Sequence, residues 1–273
     1  MKLNSGIEVL LKKEIDPVFA ARAGFIFSQI ETAKPQRVLD IGCGRGFYLQ
    51  ALANYRFIKS VVGLELKVEY IGKASQFFKN KKIKIKQGSV YQLPFADNSF
   101  DFVILSEVLE HLEDEKLALK EIHRVLKKNG QLVVTVPNHD FPMLWDPINY
   151  LLMKWLNTHI RSDWWFLAGI WADHQRLYTE KQLRDVLNKN HFKIKKLAQT
   201  VFYVWPFSHF ILYGIGKNIV EKFPSLSINR FQTAKPSKVA NLIASLMSWP
   251  NKLATSTNTK KKSGVGLVAL LTK

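Results

Sequence analysis

The sequence predicts an α/β fold, a doubly wound parallel sheet flanked by helices, and three observations predict it. Apolar runs of strand length alternate with amphipathic stretches of helix length through most of the chain. The segment VLDIGCGRGF (38–47) reads as a buried strand, an acid, a tight glycine turn and a helix start. FDFVIL (100–105) is continuously apolar, as a strand covered on both faces should be.

The elements follow in order. Residues 6–33 read as helical, with Ile7, Leu10, Leu11, Phe19, Ile26 and Ile30 on the apolar side and Pro17 dividing the stretch in two. A first strand covers 37–41, and a helix follows the glycine turn over 46–55. VVGLEL (61–66) is a short buried strand ending in Glu65, with a helix over 68–79 behind it. KIKIKQG (82–88) is a third strand and FDFVIL a fourth. LALKEIHRVLK (117–127) is an amphipathic helix, with Asp114 as N-cap, Leu117, Ile122, Val125 and Leu126 facing inward, and Asn129-Gly130 as its close. QLVVTVP (131–137) is a fifth strand, a helix and sixth strand lie within 179–198, and GVGLVALLTK (264–273) is the last.

Two segments break the alternation. Residues 139–171 carry Trp145, Trp155, Trp164, Trp165 and Trp171, which suits either a small lid core or a wall around an apolar ligand. Residues 201–262 form an insertion with nine Lys or Arg and one acid, Glu221. Within it, 201–216 is strongly apolar, and KVANLIASLMSW (238–249) can present Leu242, Leu246 and Trp249 along one helical side. The expected division is a core over 1–200 that includes the N-terminal helices and lid, the 201–262 insertion, and a final core strand at 263–273. STNTKKKSG (256–264) reads as a loop.

Composition bounds the function classes. The chain has 273 residues, 47% of them hydrophobic, enough for a sizeable core and too many for disorder. Its net charge of +18 fits an anionic partner, nucleic acid or an anionic membrane surface, and equally a lysine-rich solvated surface. The single cysteine, Cys43, excludes a disulfide framework and a cysteine-rich zinc site. The start of the chain lacks the apolar run of a secretion signal. No run reaches the roughly 18–20 uncharged apolar residues of a spanning helix. The expected location is cytoplasmic, with a peripheral membrane association open.

The glycines are spaced G-x-G-x-G with an acid two residues ahead, unlike the G-x-G-x-x-G of nicotinamide enzymes. Glu65 ends the second strand nineteen positions after Gly46, where a carboxylate can accept both hydroxyls of a bound ribose. With QGSVYQLPFADNSFD (87–101), these residues resemble the class I S-adenosylmethionine (SAM) methyltransferases of the type 11 kind. The resemblance covers about 35–200 plus the last strand and implies a Rossmann-like sheet of seven strands, an aromatic lid and SAM as cofactor.

By that resemblance Asp40 and the Gly42, Cys43, Gly44 and Gly46 turn would hold the methionine part of SAM. Glu65 would hold the ribose, Leu66 the adenine face, and Ser89 and Val90 the adenine edge, with Ser106 completing the set. Most relatives carry an acid where Ser89 stands.

SEVLEHL (106–112) follows the fourth strand, where the acceptor should meet the methyl group. A helical turn there would bring Glu107, Glu110 and His111 to one face at i, i+3 and i+4. Such a cluster suits a divalent metal, a metal-free general base, or a structural role. The same E-x-x-E-H string occurs in metal-dependent O-methyltransferases of ubiquinone synthesis and of small-RNA 3′ ends. In those families a further histidine arrives from a later segment, and His174 stands in a similar setting here. The expected reaction is O-methylation of a small, glycan or lipid-linked acceptor. The alternatives are an RNA methyltransferase, disfavoured by the lack of an appended RNA-binding motif, and a non-catalytic membrane-surface module.

Overall fold

The computed structural model describes residues 3–75, 80–164, 168–216, 238–253 and 263–273. Trp165, Glu221, the end of the 68–79 helix, most of the 256–264 loop and much of the basic insertion lie outside the described residues. The chain divides into two compact units. One holds residues 26–136, 180–198 and 268–273; the other holds 1–25, 137–179 and 199–267.

The first unit is built on the sheet, seven strands in the order β3-β2-β1-β4-β5-β7-β6. These are β1 (Arg37–Ile41), β2 (Ser60–Glu65), β3 (Ile83–Gln87), β4 (Phe100–Ser106), β5 (Leu126–Pro137), β6 (Lys193–Thr200) and β7 (Gly266–Thr272). The central strands are the continuous apolar runs: Val38, Leu39, Phe102, Val103, Ile104 and Leu105 are all fully buried. β3 lies at an edge, and its alternate Lys84 and Lys86 are exposed.

β1 pairs in parallel with β2 and with β4, so Ile41 stands level with Leu64 on one side and Leu105 on the other. The carboxyl ends of three strands therefore meet at one edge. The strand order reverses there, because the chain goes outward from β1 to β3 and then returns to β4. Such a switch point is where open α/β sheets bind ligands.

The helices of this unit include α3 (Phe47–Leu52), α4 (Val68–Ser75), α5 (Glu115–Val125) and α7 (Glu180–Lys189). Asp114 caps α5 as expected, accepting from the Leu117 N–H at 2.9 Å. Two details of this helix differ from the sequence reading. Leu117 lies in its first turn and is 41% exposed rather than inward. The helix ends at Val125, because Leu126 turns extended and pairs with Phe100. Asn129, at φ +62°, then sits inside β5 rather than closing the helix.

The second unit contains α1 (Ser5–Lys12), α6 (Pro147–Leu156), α8 (Lys238–Ser248) and a π-helical turn at Phe210–Gly216. α2 (Pro17–Ala33) begins in it, Pro17 standing at the first helical position. Its core joins Val18, Phe141, Trp145, Ile170, Leu177, Val201, Val204 and Val265. The lid, the N-terminal helix and the insertion thus share one unit. The sequence reading had assigned the first two to the sheet core. The physical reason is the insertion's own apolar residues: Leu212 and Tyr213 pack on the same cluster as Trp171.

Candidate functional site

The glycine turn leaves β1 with three left-handed residues, Gly42 at φ +70°, Gly44 at φ +52° and Gly46 at φ +81°. Gly42 and Cys43 both donate their N–H to the Leu64 carbonyl, at 2.8 and 3.1 Å, which locks the turn beside β2. A side chain at Gly42 would collide with Val108. At Gly44 the Cβ position has no atom within 4 Å, so open space lies over the turn.

Glu65 is buried, and its carboxylate is already engaged by backbone donors. Oε2 accepts from Gly44 N–H at 2.9 Å, and Oε1 accepts from Leu66 and Lys67 N–H at 2.9 Å each. A carboxylate offers about four lone-pair sites, so three bonds leave capacity for one more donor. Asp40, 1% exposed on β1, has its pKa raised well above the ordinary value by burial and by the nearby Glu65 charge. Its Oδ2 has no hydrogen-bond partner among the described residues.

Cys43 is buried, and burial with the Asp40 and Glu65 charges raises its pKa, so the thiol stays neutral and is no nucleophile. Gly63 packs so closely that a Cβ there would strike the Cys43 sulfur and the Leu49 side chain, which explains the glycine at 63.

Leu66 is 64% exposed, an apolar surface at the end of β2. Val90 is buried, and Ser89 Oγ accepts from the Tyr91 N–H at 3.2 Å, so its hydroxyl already serves a local turn. The open space above Gly44, the exposed Leu66 and the orphaned oxygen of Asp40 together fit a cofactor with a cationic end and an apolar base.

At the end of β4 the structure corrects the expected helical face. Only Leu109–His111 turn, as a short 3-10 segment, and Glu107 precedes them at φ +55°. Left-handed backbone at a glutamate is strained and persists where the surroundings hold it. Thr135 on β5 holds it twice: its carbonyl accepts from Glu107 N–H at 2.9 Å, and its hydroxyl donates to Glu107 Oε1 at 2.8 Å. Having given its proton to Glu107, Thr135 must accept from Ser106, 2.9 Å away, and Tyr48 lies 3.5 Å beyond Ser106. A hydroxyl chain thus points from Tyr48 toward the Glu107 carboxylate. Tyr48 and Thr135 were missed in the sequence reading, since each looks like an ordinary member of an apolar run.

Glu110 is fully buried, and His111 Nε2 lies 3.9 Å from its Oε1 with the imidazole 39% exposed. Glu110 and His111 therefore remain neighbours, while Glu107 turns to Thr135. His174 belongs to the other unit. Its Nδ1 lies 2.5 Å from the Ile170 carbonyl. A carbonyl only accepts, so Nδ1 donates in this hydrogen bond.

The comparisons agree with this geometry. Residues 39–134 match a family described as a methyltransferase domain. An uncharacterized methyltransferase of Bacillus subtilis, YcgJ, is 32% identical over 167 residues, 58% of this chain and 64% of that protein. A ubiquinone biosynthesis O-methyltransferase of Pelagibacter ubique is 28% identical over 204 residues, 72% of this chain and 78% of that protein. The crystal structure of YcgJ superposes with a TM-score of 0.52 over 90% of this chain and 95% of that one, at 20% identity, a likeness of fold. The chain spans 64% of the length of the Bacillus relative and 38% and 54% of two others. With its glycine turn, strand-end acid and seven-stranded sheet, the chain is similar to class I SAM-dependent methyltransferases, and its residues 39–134 match a methyltransferase domain.

Proposed function

We propose that this chain methylates a hydroxyl of a lipid-linked acceptor, taking the methyl group from SAM at an anionic membrane surface. The observation that carries the chemistry is the Glu107 carboxylate held by Thr135 at the end of β4, on the sheet edge that bears the glycine turn. Asp40, Gly42, Cys43, Gly44, Gly46, Glu65, Leu66, Ser89, Val90 and Ser106 would hold SAM. The sulfonium methyl is electrophilic already, so alignment of the acceptor is the protein's main task.

A hydroxyl acceptor needs its proton removed. Glu107, fixed in place by Thr135, is the base in this reading, with Glu110 and His111 beside it in sequence. A divalent metal held by Glu110 and His111 would be the other way to the same end, and the E-x-x-E-H pattern supports it. The Pelagibacter relative is named for an O-methyl transfer, which favours a hydroxyl.

The membrane surface is supported by α8. Leu242, Leu246 and Trp249 are 70%, 57% and 51% exposed at i, i+4 and i+7, one apolar stripe without a cover among the described residues. Trp205 braces it, its ring stacked on Trp249 and its Nε1 donating to the Leu246 carbonyl at 2.9 Å. Val201, Val204, Phe210 and Tyr213 are taken up in packing, while Phe207 and Ile211 of the same stretch are 47% and 43% exposed and join α8 as interface candidates. The insertion's nine basic residues would add roughly 1 kcal/mol each where held near an anionic surface. Among the described residues no helix is long and apolar enough to cross a membrane.

The test is transfer of labelled methyl from SAM into a lipid extract, with and without a chelator. Label should enter the lipid fraction, and Glu107→Gln should slow it about 100-fold or more. Label in added RNA, and none in lipid, would replace this reading with the RNA one.

A further inference from the structure

The second unit encloses a cavity that the SAM site does not use. Its volume is about 600 Å³, and every residue that lines it belongs to this unit. The volume lies within the roughly 300–1,000 Å³ typical of small-molecule sites. Most of its wall is apolar, with Met143, Leu144, Tyr150 and Met153 from the lid and α6, and Phe202 and Tyr203 from the start of the insertion. A mainly apolar wall with a few polar groups suits an apolar ligand that carries a polar end. The two methionines are unbranched and adjust to a flexible guest.

Polar groups share the lining. Lys154 is exposed there, its Nζ 5.6 Å from the Tyr150 ring centroid, and it makes no ion pair among the described residues. Asp140 also lines the cavity and accepts from His139 Nδ1 at 2.9 Å. Met143 and Leu144 are 46% and 42% exposed, so the apolar wall continues out to the surface. A wall for hydrocarbon with a lysine at its mouth is the chemistry of an amphiphile site.

We infer that this cavity binds the single hydrocarbon chain of an amphiphile whose anionic head, a carboxylate or phosphate, pairs with Lys154. The inference names the substrate class of the proposed methyl transfer and rests on that reading only for the claim that the amphiphile is the acceptor. Tyr150 and Lys154 stand one helical turn apart on α6, so the ring that closes the wall also steadies the cation.

The experiment is a fluorescence titration of the whole chain with dansyl-undecanoic acid and with the corresponding alcohol. Saturable binding with a blue-shifted emission is expected. Leu144→Trp, which fills the mouth from an exposed position, should weaken binding of both probes tenfold or more. Lys154→Glu should weaken the acid severalfold and leave the alcohol unchanged. Thermal unfolding and near-ultraviolet circular dichroism, equal in both variants and wild type, show that they are folded. Probe binding that is non-saturable, or equal in Leu144→Trp and wild type, overturns the cavity as the site. An equal response of acid and alcohol to Lys154→Glu overturns the anionic head. Probe binding with no methyl transfer to any lipid would instead leave the site standing and remove the proposed reaction.

Discussion

The carboxylate of Glu65, at the last residue of β2, accepts a hydrogen bond from the backbone N–H of Gly44 at 2.9 Å. This contact joins the strand-end acid to the glycine turn across 21 residues of sequence. The other oxygen caps the start of the next segment through Leu66 and Lys67. One side chain therefore shapes the turn before any ligand arrives. Glu65→Ala should leave three backbone donors without it, lowering unfolding free energy by about 1–3 kcal/mol and SAM affinity by a similar amount. Glu65→Gln should recover part of the stability, since an amide oxygen still accepts. Urea titration checks the first value and calorimetry the second.

Gly169 is a fixed point of the other unit. It sits at φ +58°, and a Cβ there would strike the Asp146 carboxylate. Asp146, fully buried, accepts from the Ile170 N–H at 2.9 Å and from the Asn149 side chain at 2.8 Å. Burial raises its pKa, and those bonds offset part of the rise. Gly169→Ala should cost about 2–4 kcal/mol, read as a fall in thermal midpoint, because strain and a displaced buried acid add. Gly44→Ala, with open space at its Cβ, should cost only the backbone strain of about 1 kcal/mol.

His209 should give this unit a pH dependence. It packs against Trp145 and Tyr213, and its pKa falls from 6.5 to about 4, first by burial and then by His174, with Asp16 opposing. Tyr213 donates its hydroxyl to Asp16. A lowered base pKa means the unfolded chain takes up its proton first. The stabilisation is therefore present above 6.5 and is lost as pH falls toward 4. Asp40, whose pKa is raised, acts oppositely, binding its proton more tightly in the native state. His209→Phe should flatten the acid limb of stability against pH, with roughly 3 kcal/mol less variation across that window. An unchanged acid limb would show that another group governs it.

The sheet was legible because its strands are nearly continuous apolar runs, and β1 begins and ends at the residues expected. Glu65 was legible because the fold fixes where the end of β2 must lie relative to the glycine turn. The geometry at Glu107 was not, because a positive φ at a glutamate has no composition signal and depends on Thr135, 28 residues away. Asn129-Gly130 looks like a helix close, yet pairing of Leu126 with Phe100 claims the chain first. The insertion reads as uniformly interfacial in sequence. The packing of Val201, Val204, Phe210 and Tyr213, beside exposed Phe207 and Ile211, follows from contacts with Phe141, Trp145 and Ile170 that no local pattern encodes.

The central claim, that the glycine turn and Glu65 form a SAM site, is tested most directly by calorimetric titration of SAM into wild type and Gly44→Val. Wild type should bind one equivalent. Gly44→Val should abolish binding while the protein remains folded by circular dichroism, because its side chain enters the open space over the turn. No heat of binding in folded wild-type protein, or equal affinity in the variant, would contradict the assignment.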